Sequence, residues 1–360
     1  MGNYSWILIV PILAVLVIVH EFGHFLTARY FGVKVEEFGV GLPPRIVGRE
    51  WKGTLWSLNW IPLGGFARMK DENTAGEAPD SFQSKPAYAR AIILLGGIIF
   101  NFIFAGILFA VSFAGFGAGR EPSAAIIDTV APNTPAQMAG WQPGDTITSI
   151  DGKAIQKYSD VGPVLNMNLD RTIPVVLQRN GQTLTTTVTP SRARFDAKQG
   201  ATGIVLKQVV YEKEPVLQAI PDGFAEVGRA TVAILGGLVS LFRGTIPGGI
   251  AGNVSGPIGI AQAVGEAVSS SPIPGWVTVA RLTALISLNL AIFNLLPIPA
   301  LDGGRLLFVV IEIIRRGRRV SPEREGMVHV IGMAVLLSIF VLVAFLDIQR
   351  IFDGRSVLPR

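Results

Sequence analysis

The sequence predicts a polytopic α-helical membrane protein with four transmembrane helices, a membrane-associated β-hairpin and one inserted β-rich domain. Three observations lead there. The 360 residues are 49% hydrophobic and 16% charged, with a mean hydropathy of +0.47, a balance outside the soluble globular range. Four apolar runs are each long enough to cross ~30 Å of hydrocarbon. Between the second and third, about ninety residues turn polar, with period-two alternation and turn-forming pairs.

The first run covers 6–31; at 1.5 Å per residue it reaches about 39 Å. It lacks a basic leader and a small-residue cleavage site, so it is expected to stay on the mature protein. Segment 33–70 carries a turn-rich Gly-Leu-Pro-Pro and then Leu55-Trp56-Ser57-Leu58-Asn59-Trp60-Ile61, which has strand propensity. The second run, 91–116, is uncharged, and Gly96, Gly97 and Gly106 thin its surface for another helix. In 119–211, Asn180-Gly181 reads as a hairpin turn between Pro174-Val175-Val176-Leu177 and Leu184-Thr185-Thr186-Thr187-Val188. The apolar run 230–242 is too short to cross and is expected in an interfacial or re-entrant helix over 224–243. Residues 252–259 read as a loop that cannot be regular helix. The third and fourth spans are expected at 282–301 and 327–346, which divides the chain into 1–118, 119–211 and 212–360.

Eight Lys and Arg fall between Gly32 and Arg90 and six between Asp302 and the fourth span, while residues 1–5 hold none. Basic segments stay cytoplasmic. Both termini and the β-rich insert are therefore expected outside the cell membrane, and the C-terminal half of the first helix toward the cytoplasm. The net charge of +5 arises from residues flanking apolar runs, so the expected partner is the lipid bilayer and not nucleic acid. No cysteine is present, which excludes thiolate metal sites and leaves His and carboxylate as ligands.

Within the first apolar run stands His20-Glu21-Phe22-Gly23-His24. Histidines at i and i+4 share one helix face and can reach a single zinc ion, with Glu21 beside them to serve as general base toward an activated water. With 3 His and 14 Glu in the chain, chance would produce the pattern about 0.001 times. Ionisable groups in hydrocarbon are costly unless they pair, ligate or face water, so the motif marks a site. A catalytic zinc takes three protein ligands. His329 and Asp302 are the candidates for the third; Asp302 is favoured, because Pro297, Pro299, Gly303 and Gly304 would break the helix and leave its carboxylate on irregular backbone.

Two resemblances follow. Ala131-Pro132-Asn133-Thr134-Pro135-Ala136, Gly144-Asp145-Thr146-Ile147 and Ile150-Asp151-Gly152 resemble a PDZ domain of the bacterial protease type. That likeness implies a peptide groove bordered by Gly203 and Ile204, where an extended peptide adds as a strand. His20-Glu21-Phe22-Gly23-His24 together with Asn294-Leu295-Leu296-Pro297-Ile298-Pro299-Ala300-Leu301-Asp302-Gly303-Gly304 resembles the site-2 protease family of intramembrane zinc metalloproteases, in the order of its bacterial RseP-type members. It implies Zn2+ held by His20, His24 and Asp302, Glu21 as base, and Asn294 as a residue that holds substrate. It also implies that 33–70 dips into the membrane beside the site. Leu58 is expected there to help satisfy the backbone of an unwound substrate. A single PDZ-like domain departs from the tandem pair of well-known relatives.

The expected function is an intramembrane zinc endoprotease that cleaves single-span membrane proteins, for example an anti-sigma factor or remnant signal peptides. The chemistry requires a wet cavity reaching the site from the cytoplasm. Two other functions use the same residues: a membrane-anchored PDZ binding module with a non-catalytic zinc site, against which Glu21 speaks, and a metal or proton transporter, against which the absence of internal repeats speaks.

Overall fold

The computed structural model describes residues 4–72, 76, 78–192, 200–245 and 256–353. Two compact units divide the chain: Met1–Ala114 with Pro215–Arg360, and Gly115–Glu214.

In the first unit, a 3-10 turn over Tyr4–Leu8 leads into α1 (Ile9–Tyr30). Its buried residues Ile9, Ile12, Leu16, His20, Gly23, His24 and Ala28 recur every three or four positions, so both histidines lie on the inward stripe. β1 (Val35–Trp51) and β2 (Thr54–Met69) follow, joined by Lys52 and Gly53 at φ 50 and 76, the left-handed pair of a two-residue hairpin turn. The pairing goes further than one hairpin. Residues 37–40 lie between 55–58 and 65–68, and 45–51 pair with 54–59, so the two long strands fold into four short ones. α2 (Ala87–Gly115) then runs against α1 with glycine on glycine. A methyl on Gly96 would lie 2.5 Å from Thr27 Oγ1 and 2.7 Å from the Gly23 carbonyl oxygen; the helices touch at backbone distance.

The second unit is built of β3 (Ala118–Arg120), β4 (Ala125–Val130), α3 (Pro135–Met138), β5 (Thr146–Ile150), β6 (Lys153–Ala154), α4 (Tyr158–Met167), β7 (Ile173–Arg179), β8 (Gln182–Val188), β9 (Ile204–Leu206) and β10 (Val210–Glu212). The main sheet runs β8-β7-β5-β4-β9 with β6 on β5, while β3 and β10 pair where the chain enters and leaves. Asn180 and Gly181, at φ 50 and 80, turn β7 into β8. Ile127, Ile147, Ile150, Val161, Ile173 and Leu177 fill the core. Asp145, fully buried, is held by Arg179 at 2.6 and 2.7 Å and by the Gln142 N–H at 2.8 Å.

The first unit resumes with α5 (Val216–Phe242), α6 (Pro257–Ser270), α7 (Gly275–Leu295), α8 (Asp302–Ile314) and α9 (Pro322–Phe352). Several of these differ from expectation. Helix continues through Asp222, Glu226 and Arg229, so α5 has 27 residues where the apolar run alone has thirteen. Five helices are thus long and apolar enough to cross a membrane: Ser5–Tyr30, Ala87–Gly115, Val216–Phe242, Gly275–Leu295 and Arg324–Phe352. The expected loop at 252–259 is helical from Pro257 onward, because proline at the first helical position costs no hydrogen bond; 252–255 lie outside the described residues. The third apolar run ends at Leu295, ahead of Pro297 and Pro299, and a separate helix begins at Asp302.

Candidate metal centre

α1, α2 and the start of α8 converge on one cluster. His20 Nε2 stands 2.9 Å from Asp302 Oδ2, His24 Nε2 3.3 Å from the same oxygen, and the two Nε2 atoms 3.2 Å from each other. Donor atoms 2.0–2.1 Å from a tetrahedral zinc are separated by about 3.3 Å, so the three residues fit that ion. They are the group of His and carboxylate side chains among the described residues whose donor atoms could share a metal. Asp302 is the first residue of α8, so its carboxylate rides on a helix start rather than on the irregular backbone expected for it. A turn, 296–301, precedes it.

α2 supplies the support. His24 Nδ1 donates to the Ile93 carbonyl at 2.8 Å, which leaves Nε2 free to ligate. Asn101, wholly buried in the middle of α2, places its amide 3.3 Å from His20 Nδ1, while its Oδ1 has no partner. A half-turn of that amide lets Oδ1 accept from His20 Nδ1–H, satisfies the orphaned oxygen and frees Nε2 for metal. Ser287 of α7 donates to the Asn101 carbonyl at 2.9 Å and ties this part of α2 down. Gly97 gives the imidazoles their room: a β-carbon there would lie 2.5 Å from His24 Nε2 and 2.8 Å from His20 Nε2. Sequence reasoning singled out neither Asn101 nor this use of Gly97. A lone amide in an otherwise uncharged span was the available signal.

Glu21, half-buried, accepts from the Ala67 N–H at 3.0 Å. Ala67 belongs to the stretch 65–69, which pairs on one side only, with 35–40. Its free edge therefore faces the acid of the motif. Leu58 does not have that position. Its backbone is paired on both sides, to Val40 and to Val47, so it cannot accept an added strand, and the expectation placed on it moves to 65–69. Asn294 lies half-buried in the last turn of α7 and, among the described residues, makes no hydrogen bond to the cluster. In the second unit, β9 is an edge of the sheet, but the Ile204 side chain is in the core and Gly203, at φ 80, is pressed against Thr134. What this strand offers a peptide is backbone. A cavity of about 690 Å³ lies against the Asp302 turn, lined among others by Ala300, Arg305, Phe308, Glu312, Glu325 and His329.

The profile of peptidase family M50 matches residues 8–339. A candidate zinc metalloprotease of Fusobacterium nucleatum is 32% identical over 352 residues, covering 97% of this chain and all of the relative. Metalloprotease MmpA of Caulobacter vibrioides is 30% identical, covering 94% of each chain. Zinc metalloprotease RasP of Oceanobacillus iheyensis is 28% identical, covering 94% of this chain and 97% of its own.

Proposed function

The chain belongs to peptidase family M50, the site-2 proteases, as a multi-pass membrane zinc metalloendopeptidase, and on that premise we propose that it cleaves single-span membrane proteins within or next to the bilayer through His20, His24, Asp302 and Glu21. One observation carries this assignment of residues: three donor atoms at zinc-like spacing, with the acid of the motif set on an unpaired strand edge.

Zinc, when bound, supplies Lewis acidity that acidifies water and polarises the scissile carbonyl. The rest is work for side chains and backbone. His24, oriented by the Ile93 carbonyl, and His20, oriented by Asn101, hold their Nε2 lone pairs toward one point, and Asp302 contributes a carboxylate oxygen. Glu21 takes the proton of the attacking water and returns it to the leaving amide nitrogen. A substrate helix hides its carbonyls in its own hydrogen bonds and must be unwound first; an extended segment pairing along 65–69 satisfies the freed backbone and arrives beside Glu21. The charged cavity against the Asp302 turn is where we place the water supply. Substrates of the required shape include an anti-sigma factor already shortened outside the membrane and remnant signal peptides.

In our topology α1, α2, α7 and α9 cross the membrane, α5 lies at its surface because Asp222, Glu226 and Arg229 interrupt its first half, and both termini and residues 115–214 are extracytoplasmic. The second unit then offers β9 to peptides as a PDZ-like module. Ala67→Pro tests the part this edge plays in cleavage: proline is tolerated on an edge but removes the N–H that holds Glu21 and would meet an added strand. Cleavage should fall with zinc retained. Parallel loss of zinc would make 65–69 a structural support instead.

A further inference from the structure

The third histidine of the chain has no place in the mechanism above, yet it touches the turn that delivers Asp302. Ala300, two residues before Asp302, has φ 77, a left-handed conformation that a β-carbon disfavours. Its N–H donates to His329 Nδ1 at 2.8 Å. One helical turn further along α9, Gly332 meets the preceding residue: a β-carbon there would come 3.0 Å from the Pro299 carbonyl carbon and 3.1 Å from its oxygen, and closer still to its side chain. The two α9 positions grip two consecutive residues of the turn, while most apolar side chains of that helix remain exposed. The His329 ring also leans on Phe308 of α8, with centroids 5.7 Å apart. Because Nδ1 accepts, the ring proton is on Nε2; that atom is buried without a hydrogen-bond partner among the described residues, 4.0 Å from Glu325 Oε1.

We propose that His329 is a positioning residue for the metal centre: by accepting the Ala300 N–H it holds the strained turn closed and fixes where Asp302 enters the ligand set. This rests on Asp302 being a ligand. The role asks for an acceptor on α9 and for the left-handed turn, and needs no contact between His329 and the metal.

The test is zinc affinity of the detergent-solubilised full chain, by chelator competition, for four variants. His329→Leu removes the acceptor, and zinc should weaken about 10- to 100-fold, the usual range for support of a ligand. Adding Ala300→Gly to that variant removes the strain the clamp opposes, and most of the affinity should return; a general loss of packing would not be rescued by a glycine in the turn. Zinc binding of His329→Leu within twofold of wild type, or an equal loss with and without Ala300→Gly, overturns the proposal. Should His329→Leu fail to fold, Gly332→Ala is read in its place, since it pushes on Pro299 with the imidazole intact: weakened zinc supports the clamp and unchanged zinc overturns it. Asp302→Asn separates the premise. If it keeps zinc, the ligand assignment fails; if it alone loses zinc, the clamp fails.

Discussion

Gly97→Ala should disable the metal centre without touching a ligand. The added carbon would stand 2.5, 2.7 and 2.8 Å from three imidazole atoms, about 0.6–0.9 Å short of the 3.4 Å at which ordinary contact begins. Retreat of α2 would open its backbone contact with α1 at Gly23 and Gly96 and strain the Ser287 hydrogen bond to the Asn101 carbonyl. The imidazoles must move, and metal–ligand distances tolerate only about 0.2 Å. Overpacking of this kind costs about 1–3 kcal/mol; because the imidazoles relieve it by leaving the zinc-binding arrangement, it falls on the bound state and, at 1.4 kcal/mol per tenfold, lowers zinc affinity by up to about 5- to 140-fold. Chelator competition on the solubilised protein measures it, and the rise in melting temperature on adding zinc should shrink in step. Zinc affinity within twofold of wild type would refute the argument that this glycine makes space for the two histidines.

Three further outcomes are expected. Asn101→Leu should weaken zinc by about 10- to 100-fold, while Asn101→Asp, which keeps an acceptor toward His20, should lose less; the same competition assay separates them. In the second unit, burial raises the Asp145 carboxyl, but the Arg179 guanidinium and the Gln142 N–H outweigh it and hold the group below its usual value. Its stabilisation is therefore complete above the unfolded carboxylate value near pH ~3.9 and is lost as pH falls through the lower folded value. Arg179→Met leaves the buried Asp145 carboxylate without its charged partner and should destabilise the second unit at neutral pH, read as lost hydrogen-exchange protection of β5 and β7; equal protection at pH 7 would contradict it. An alkaline-phosphatase fusion after Phe352 should be active, as four spans require; an inactive fusion would indicate a fifth span through α5.

His20 and His24 were legible because a helix fixes i and i+4 on one face whatever surrounds it, and Asp302 because proline and glycine at membrane depth are expensive to place without purpose. Their support was not legible. Asn101 and Gly97 sit in a run that reads as an ordinary span, and their roles depend on which face of α2 meets α1, a tertiary fact. Alternation locates the strands of 33–70 but cannot say which edge stays unpaired, so the expectation falls on Leu58 where the strand edge without a partner strand is 65–69. The length of α5 escaped because helix propagates through charged residues that a hydropathy run stops at, and α8 because the breakers before Asp302 drew attention from the helix start that an acidic first-turn residue marks. Residues 252–255, part of the segment expected as a loop, lie outside the described residues.

The central claim is that Glu21 acts as the base of a zinc centre made by His20, His24 and Asp302. Purified wild type and Glu21→Gln, compared for cleavage of a single-span substrate in liposomes with bound zinc quantified in both, tests it most directly. The account predicts that cleavage is lost while zinc is retained; cleavage by Glu21→Gln at the wild-type rate would contradict it.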